Sequence, residues 1–216
     1  MRGRGERGLV ATAGTGLLLF LLLAALVAAH VFDSFDLSAA RLIQNLPFGP
    51  LTRWMDATNA MTPAIQLFVA AVLIGGFFAW QARAGIVLFL SCFVNLIDQL
   101  VKLLVDRQSP GWDRFHYPNH GVGDSFPSGH AVYFTWACFT IAAILTPRLR
   151  PRWRFVVWAV AALQLAVAAV GRVWLGVHWT TDVIGGILLS LAWCAAVLWA
   201  IPVVGVTSLR EQRRAA

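Results

Sequence analysis

Six long apolar runs, nearly free of charge, restrict this chain to one kind of architecture. They cover residues 9–32, 61–82, 84–97, 131–149, 155–171 and 183–209. A helix needs about 20 mostly apolar residues to cross a hydrocarbon core, and the shorter runs reach that length by taking in polar flanks. Composition agrees, with 59% hydrophobic and only 12% charged residues, where a soluble domain carries about 25% charge. The expected fold is therefore all-α: a polytopic bundle of six transmembrane helices over residues 1–216. No Pro/Gly/Ser linker, low-complexity tract or internal repeat marks a second domain.

The net charge of +7 does not point to nucleic acid, because its distribution fits a membrane better. With the N-terminus inside and six spans, the cytoplasmic segments hold Arg2, Arg4, Arg7, Arg83, Arg148, Arg150, Arg152, Arg154, Arg210, Arg213 and Arg214. Arg41, Arg53, Lys102, Arg107, Arg114 and Arg172 are left outside. That bias follows the positive-inside rule and places both termini in the cytoplasm. The N-terminal arginines, apolar stretch and Val27-Ala28-Ala29 resemble a cleaved signal peptide, but the stretch exceeds a usual signal core, so a retained helix is expected. Cys92, Cys138 and Cys194 fall inside spans without pairing or metal-ligand spacing and read as packing residues.

Between the first two spans, residues 33–60 carry Leu42, Ile43, Leu46, Phe48, Leu51, Trp54 and Met55 among polar residues, with breaks at Pro47 and Pro50. Short amphipathic helices on the membrane surface are expected there, either guiding a lipid inward or covering helix ends. Span three closes on Asn95, Asp98, Gln99 and Lys102. Spacings of three and four put them on one face, and charge inside a membrane helix usually faces protein or water. Asp98 simply neutralising Lys102 is the plainer alternative.

Two further clusters lie at span ends. Pro127-Ser128-Gly129-His130 opens span four. A helix N-terminus offers unpaired N–H donors and a positive dipole end, and glycine lets a ligand approach the backbone closely. Arg172, Gly176, His178 and Asp182 precede and open span six. At i, i+4 the Asp182 carboxylate can accept from one ring nitrogen of His178 and leave the other nitrogen's lone pair free to attack. A histidine held in that way can carry a phosphoryl group and split displacement at phosphorus into two steps. Arg172, Arg107 and Lys102 supply positive charge for phosphoryl oxygens. Counting spans puts all three clusters on the extracytoplasmic side. Few carboxylates face outward and none pair as a magnesium site would, so no metal or other cofactor is expected. His30, His116 and His120 lack orienting partners at useful spacing.

These residues resemble the type 2 phosphatidic acid phosphatase superfamily, over roughly residues 60–205. Pro127-Ser128-Gly129-His130 matches the second part of its signature, and Arg172, Gly176, His178 and Asp182 match the third. The resemblance implies His178 as nucleophile, Asp182 as its orienter and His130 as the acid that protonates the leaving oxygen. It implies that Ser128, Gly129, Arg172 and Lys102 hold the phosphate. The first part departs: lysine, six residues, then arginine-proline is usual, but here Lys102 leads to Ser109-Pro110. Arg107, two residues earlier, could take the missing role, or Arg114 could reach in. Gly171 also stands where serine is usual.

The implied activity is removal of a terminal phosphate from a lipid phosphate or pyrophosphate, of the undecaprenyl pyrophosphate, phosphatidylglycerol phosphate or phosphatidate type, at the outer leaflet of a bacterial inner membrane. Two rivals use the same residues. A phosphotransferase would pass the phosphoryl group from His178 to another alcohol, and a binding or transport protein would hold an anionic headgroup without turnover.

Overall fold

The computed structural model describes residues 4–110 and 125–203. Their regular elements are α1 (Arg4–Ala28), α2 (Asp33–Gln44), α3 (Leu51–Asn59), α4 (Pro63–Trp80), α5 (Ala82–Cys92), α6 (Val94–Val105), α7 (Gly129–Leu145), α8 (Pro151–Trp174) and α9 (Thr180–Ala200), with a 3₁₀ turn at Thr146–Arg148. Among the described residues, six segments are long and apolar enough to span a membrane: Gly5–Ala28, Pro63–Trp80, Ala82–Val105, Gly129–Arg148, Pro151–Trp174 and Thr180–Ala200. The expected all-helical, six-span bundle is borne out. Helices suit this setting because each satisfies its own backbone polar groups where no water is available.

Two details differ from the sequence reading. Span three is broken between α5 and α6 at Phe93. There the Ser91 hydroxyl donates to Val87 O at 2.7 Å and Leu88 O at 3.1 Å, and the Trp136 indole donates to Leu88 O at 3.1 Å. Carbonyls drawn to side chains weaken the i→i−4 ladder and allow a bend. The fifth span runs on to Trp174, past the expected end at 171, so Arg172 sits in the last turn of α8.

Helices α7 and α9 form the centre, with α1 along α9, α8 against α7, and α5 and α6 packed against both. Lipid tails are as apolar as leucine, so helices associate here by close contact rather than by escape from water. Glycines of α9 permit that contact. A Cβ at Gly185 would fall 2.5 Å from Phe126 Cε2, and one at Gly186 would fall 2.7 Å from Ser128 O and 2.9 Å from Ala131 Cβ. Phe126 also stacks on Phe20 of α1 at 5.9 Å. The motif before α7 is thus wedged between α1 and α9. By contrast α4 lies at the rim, with Ala70 its only buried residue.

The amphipathic helices α2 and α3 pack on α8, and α2 also reaches α9. Of the two roles expected for residues 33–60, the packing supports covering helix ends. Arg83, the 3₁₀ turn with Arg148, and the start of α8 lie at the opposite end of the bundle, where Arg148 bonds Gln81.

Replacing Gly186 by valine forces α7 and α9 apart at their tightest crossing. Overpacking costs roughly 1–3 kcal/mol, a fall of about 2–12 °C in Tm for a domain of this size. Gly76→Val, where a Cβ meets nothing within 4 Å, provides the control. Thermal unfolding in detergent checks both, and equal Tm values for the two variants would contradict the crossing described here.

Candidate active site

One end of the bundle holds a cavity of about 820 Å³. Lys102 of α6, Gly129 and His130 of α7, Arg172 of α8 and His178 before α9 all line it. The three polar clusters separated in sequence therefore meet around one space. Leu67 and Leu103, 72% and 73% exposed, belong to the same wall, so the cavity opens toward lipid between α4 and α6.

The turn from α8 to α9 is built to deliver His178. Leu175 caps α8 and Gly176 follows at φ 70°, a left-handed conformation that glycine adopts without strain. Gly176 N–H donates to Val173 O at 3.0 Å and Val177 N–H to Arg172 O at 3.2 Å. That pair of bonds is a Schellman motif, and it explains why glycine stands two residues before the histidine. His178 N–H also returns to Arg172 O, at 3.3 Å. The arginine and histidine of the motif are thus fixed to each other through the backbone.

His178 is oriented differently from the sequence expectation. Its Nδ1 lies 3.0 Å from Ser125 O but 3.7 Å from Asp182 Oδ2, and 3.7 Å is too long for a hydrogen bond. Nδ1 therefore donates to the Ser125 carbonyl, which leaves the lone pair on Nε2. Asp182 acts one step removed. It accepts from the Ser125 hydroxyl, from Trp179 N–H at 2.8 Å and from Arg107 at 2.6 Å. Burial pushes the His178 pKa down, and Arg172 and Lys102 push the same way against the pull of Asp182. The imidazole is accordingly neutral at neutral pH.

Lys102 Nζ donates to Asp98 Oδ2 at 2.9 Å, and both residues line the cavity. Gly129 lies against them: a Cβ there would stand 3.1 Å from Lys102 Nζ and 3.2 Å from Asp98 Oδ2. Ser128 is buried, and its hydroxyl does not cap α7; among the described residues it has no hydrogen-bond partner. Arg172 is held by the Asn59 side chain at the end of α3. His130 Nε2 meets Gln66 Nε2 of α4 at 3.2 Å, and Gln66 also donates to Met61 O at 2.9 Å.

Arg107, expected at the phosphate, is turned elsewhere. Its guanidinium donates to Asp182 Oδ1 at 2.6 Å, Thr181 Oγ1 at 2.7 Å and Asp36 Oδ2 at 2.7 Å, and it does not line the cavity. The two fully buried carboxylates attract it more strongly than open space would. Burial works against its charge, but Asp182 and Asp36 more than offset this and raise its pKa. Ser109, standing where an arginine is usual, does line the cavity. Arg114, His116 and His120 lie outside the described residues. His30 does have a partner, Asp33 at 3.1 Å, on the exposed surface away from the cavity. Cys92, Cys138 and Cys194 are unpaired thiols. Among the described residues, no three His, Cys, Asp or Glu side chains gather where they could hold a metal ion.

Four contributors were not assigned these roles from the sequence: Ser125, Asp36, Asn59 and Gln66. Gln66 left one usable signal, as a single polar residue early in an apolar run. Asp36 and Asn59 sit among other polar residues on amphipathic helices, where nothing in the spacing distinguishes them.

Comparison with known proteins agrees with this geometry. Phosphatidylglycerophosphatase B of Bacillus subtilis is 29% identical over 81% of this chain and 87% of its own length. An undecaprenyl-diphosphatase of Sulfolobus acidocaldarius is 36% identical over a shorter stretch, 31% of this chain and 28% of its own. The crystal structure of a transmembrane PAP2-type phosphatidylglycerolphosphate phosphatase from Bacillus subtilis shares the fold, with TM-score 0.74 and 24% identity over 94% of this chain and 97% of that one. The sequence profile of the PAP2 superfamily matches residues 82–204, more than half of the chain and both intact motifs. The resemblance drawn from those motifs is borne out, and this integral membrane protein belongs to the PAP2 superfamily.

Proposed function

We propose that the chain hydrolyses a terminal phosphate from a lipid phosphate through a phosphohistidine on His178, without a metal. The observation that carries this reading is the convergence of two imidazoles, two cationic side chains and the N-terminus of α7 on one cavity open to lipid. Named relatives act on phosphatidylglycerophosphate and undecaprenyl diphosphate, and the substrate here is of that general kind.

In the first step His178 Nε2 attacks phosphorus and forms a P–N bond. The bond from phosphorus to the lipid oxygen breaks on the opposite side, and His130 gives that oxygen its proton. Lys102, Arg172, the Ser128 hydroxyl and the backbone N–H groups at Gly129 and His130 take the charge on the phosphoryl oxygens, where most stabilisation of such a transition state arises. In the second step His130, now neutral, takes a proton from water as that water displaces His178 and releases inorganic phosphate. Asp182 positions the nucleophile through Ser125 rather than by direct contact. The basic residues at the far end of the bundle support cytoplasmic termini and a site facing the extracytoplasmic leaflet.

His178→Ala lowers kcat on the order of 10³-fold or more, since removing a nucleophile abolishes the covalent route. His130→Ala lowers kcat by about 10²–10⁴-fold, least for substrates with an acidic leaving group. Turnover persists in chelator and is inhibited by vanadate. Phosphate-release assays on purified protein, with acid-labile phosphohistidine trapped by rapid quench, check these outcomes. Wild-type turnover in His178→Ala would overturn the mechanism.

For Arg107 the geometry predicts a particular kinetic pattern. Arg107→Met leaves Asp36 and Asp182 buried without their cation, a loss of roughly 3–5 kcal/mol. Tm and kcat therefore fall together while KM changes little. A rise in KM at unchanged Tm and kcat would instead restore Arg107 to the phosphate.

A further inference from the structure

Besides Arg172 Nε, two buried polar atoms on cavity-lining residues have no partner among the described residues: Asp98 Oδ1 and the Tyr133 hydroxyl. Both residues line the cavity, and they are only 1% and 4% exposed. Asp98 Oδ2 is already engaged by Lys102 at 2.9 Å and Gln99 at 2.8 Å, so Oδ1 is a separate acceptor. Leaving a buried polar group unpaired is costly, and two together in one wall call for a ligand that supplies the missing bonds.

Their positions say which part of a substrate would do so. Gly129 and Asp98 face each other across α7 and α6. Tyr133 follows Gly129 by four residues and Asn95 precedes Asp98 by three. Each is therefore one turn, about 5 Å, deeper in the bundle on the same face. Asn95 lines the cavity there as well, with its amide donating to Cys92 O at 3.0 Å. In-line displacement from His178 sends the leaving oxygen toward His130, which begins the same α7 turn. The atoms just beyond that oxygen then lie against Asp98, Asn95 and Tyr133.

That wall suits a neutral, hydroxylated group and not a second phosphate. It carries an acceptor carboxylate and neutral donors. Among the described residues the cationic side chains lining the cavity are Lys102 and Arg172, the former already paired with Asp98. Ser109 lines it where the superfamily pattern has arginine.

Building on the phosphatase reading above, we propose that Asp98, Asn95 and Tyr133 form a subsite for a hydroxyl close to the scissile bond. The preferred substrate class is then a lipid phosphomonoester with a hydroxyl two or three atoms from its leaving oxygen, rather than a prenyl diphosphate. The hydroxyl donates to Asp98 Oδ1 and accepts from Tyr133.

The test compares kcat/KM of the purified full chain in detergent on 1-oleoyl-glycerol 3-phosphate, which has such a hydroxyl, and on oleyl phosphate, which does not. Farnesyl diphosphate is the third substrate. Wild type favours the glycerol substrate over oleyl phosphate by about tenfold or more, the discrimination expected of a site built to bond a hydroxyl. Tyr133→Phe lowers that ratio about tenfold, and adding Asn95→Leu brings it near one. Because the ratio is taken within one preparation, partial misfolding cancels. A wild-type ratio near one, a ratio unchanged in both variants, or faster cleavage of farnesyl diphosphate overturns the subsite while phosphatase activity stands. Failure of wild type to release phosphate from all three overturns the phosphatase reading and this inference with it.

Discussion

The Asp182 carboxylate, buried and surrounded by donors, ties the cavity end of the bundle together. It ends the turn that presents His178 by accepting from Trp179 N–H, holds Ser125 ahead of α7, and binds Arg107 after α6. Through Arg107 it reaches Asp36, which also accepts from Thr181 N–H at 2.9 Å and so fastens α2 over the start of α9. A charge this deep is tolerable only when fully paired, because an unpaired one would cost several kcal/mol. One cluster thereby couples the fold of four segments to the placement of one imidazole. Specificity of arrangement, more than net stability, is what a buried network of this kind supplies.

The cationic side of the cavity follows a different rule. Its cations are held loosely enough in charge terms to accept an anion: Lys102 shares one carboxylate, and Arg172 rests on a neutral amide. Arg107, by contrast, faces two carboxylates and gains nothing by turning to the cavity. Proximity in sequence to the missing arginine position did not decide its role. The local balance of charge did.

The sequence made the spans legible because lipid imposes a strict length and composition on anything that crosses it. The two intact motifs were legible for a related reason, since charged and imidazole groups stand out sharply against apolar helices. Helix ends also followed: Pro63 and Pro151 begin helices where their missing N–H costs nothing, and Gly176 ends α8 through its left-handed backbone. Contacts between segments far apart were not legible. Asn59 with Arg172, Gln66 with His130 and Asp36 with Thr181 each join residues more than 60 positions apart. Side-chain spacing within one helix carries no information about which helix lies opposite. The His178 contact with Ser125 O illustrates the same limit. An i, i+4 pairing with Asp182 was sterically available, but the chain entering α7 brought a nearer acceptor.

By itself the sequence determined a six-span helical bundle, its superfamily, and the histidines and cations that gather at one end. Those features rest on local physics: the length of apolar runs, the conformations of proline and glycine, and the rarity of charge in lipid. Only the tertiary structure decided that Arg107 pairs with Asp182 and Asp36, that the Ser125 carbonyl meets His178 Nδ1, and that Asp98 and Tyr133 leave polar atoms unmatched in the wall. These depend on which buried groups from distant segments come within hydrogen-bond reach, and packing alone settles that.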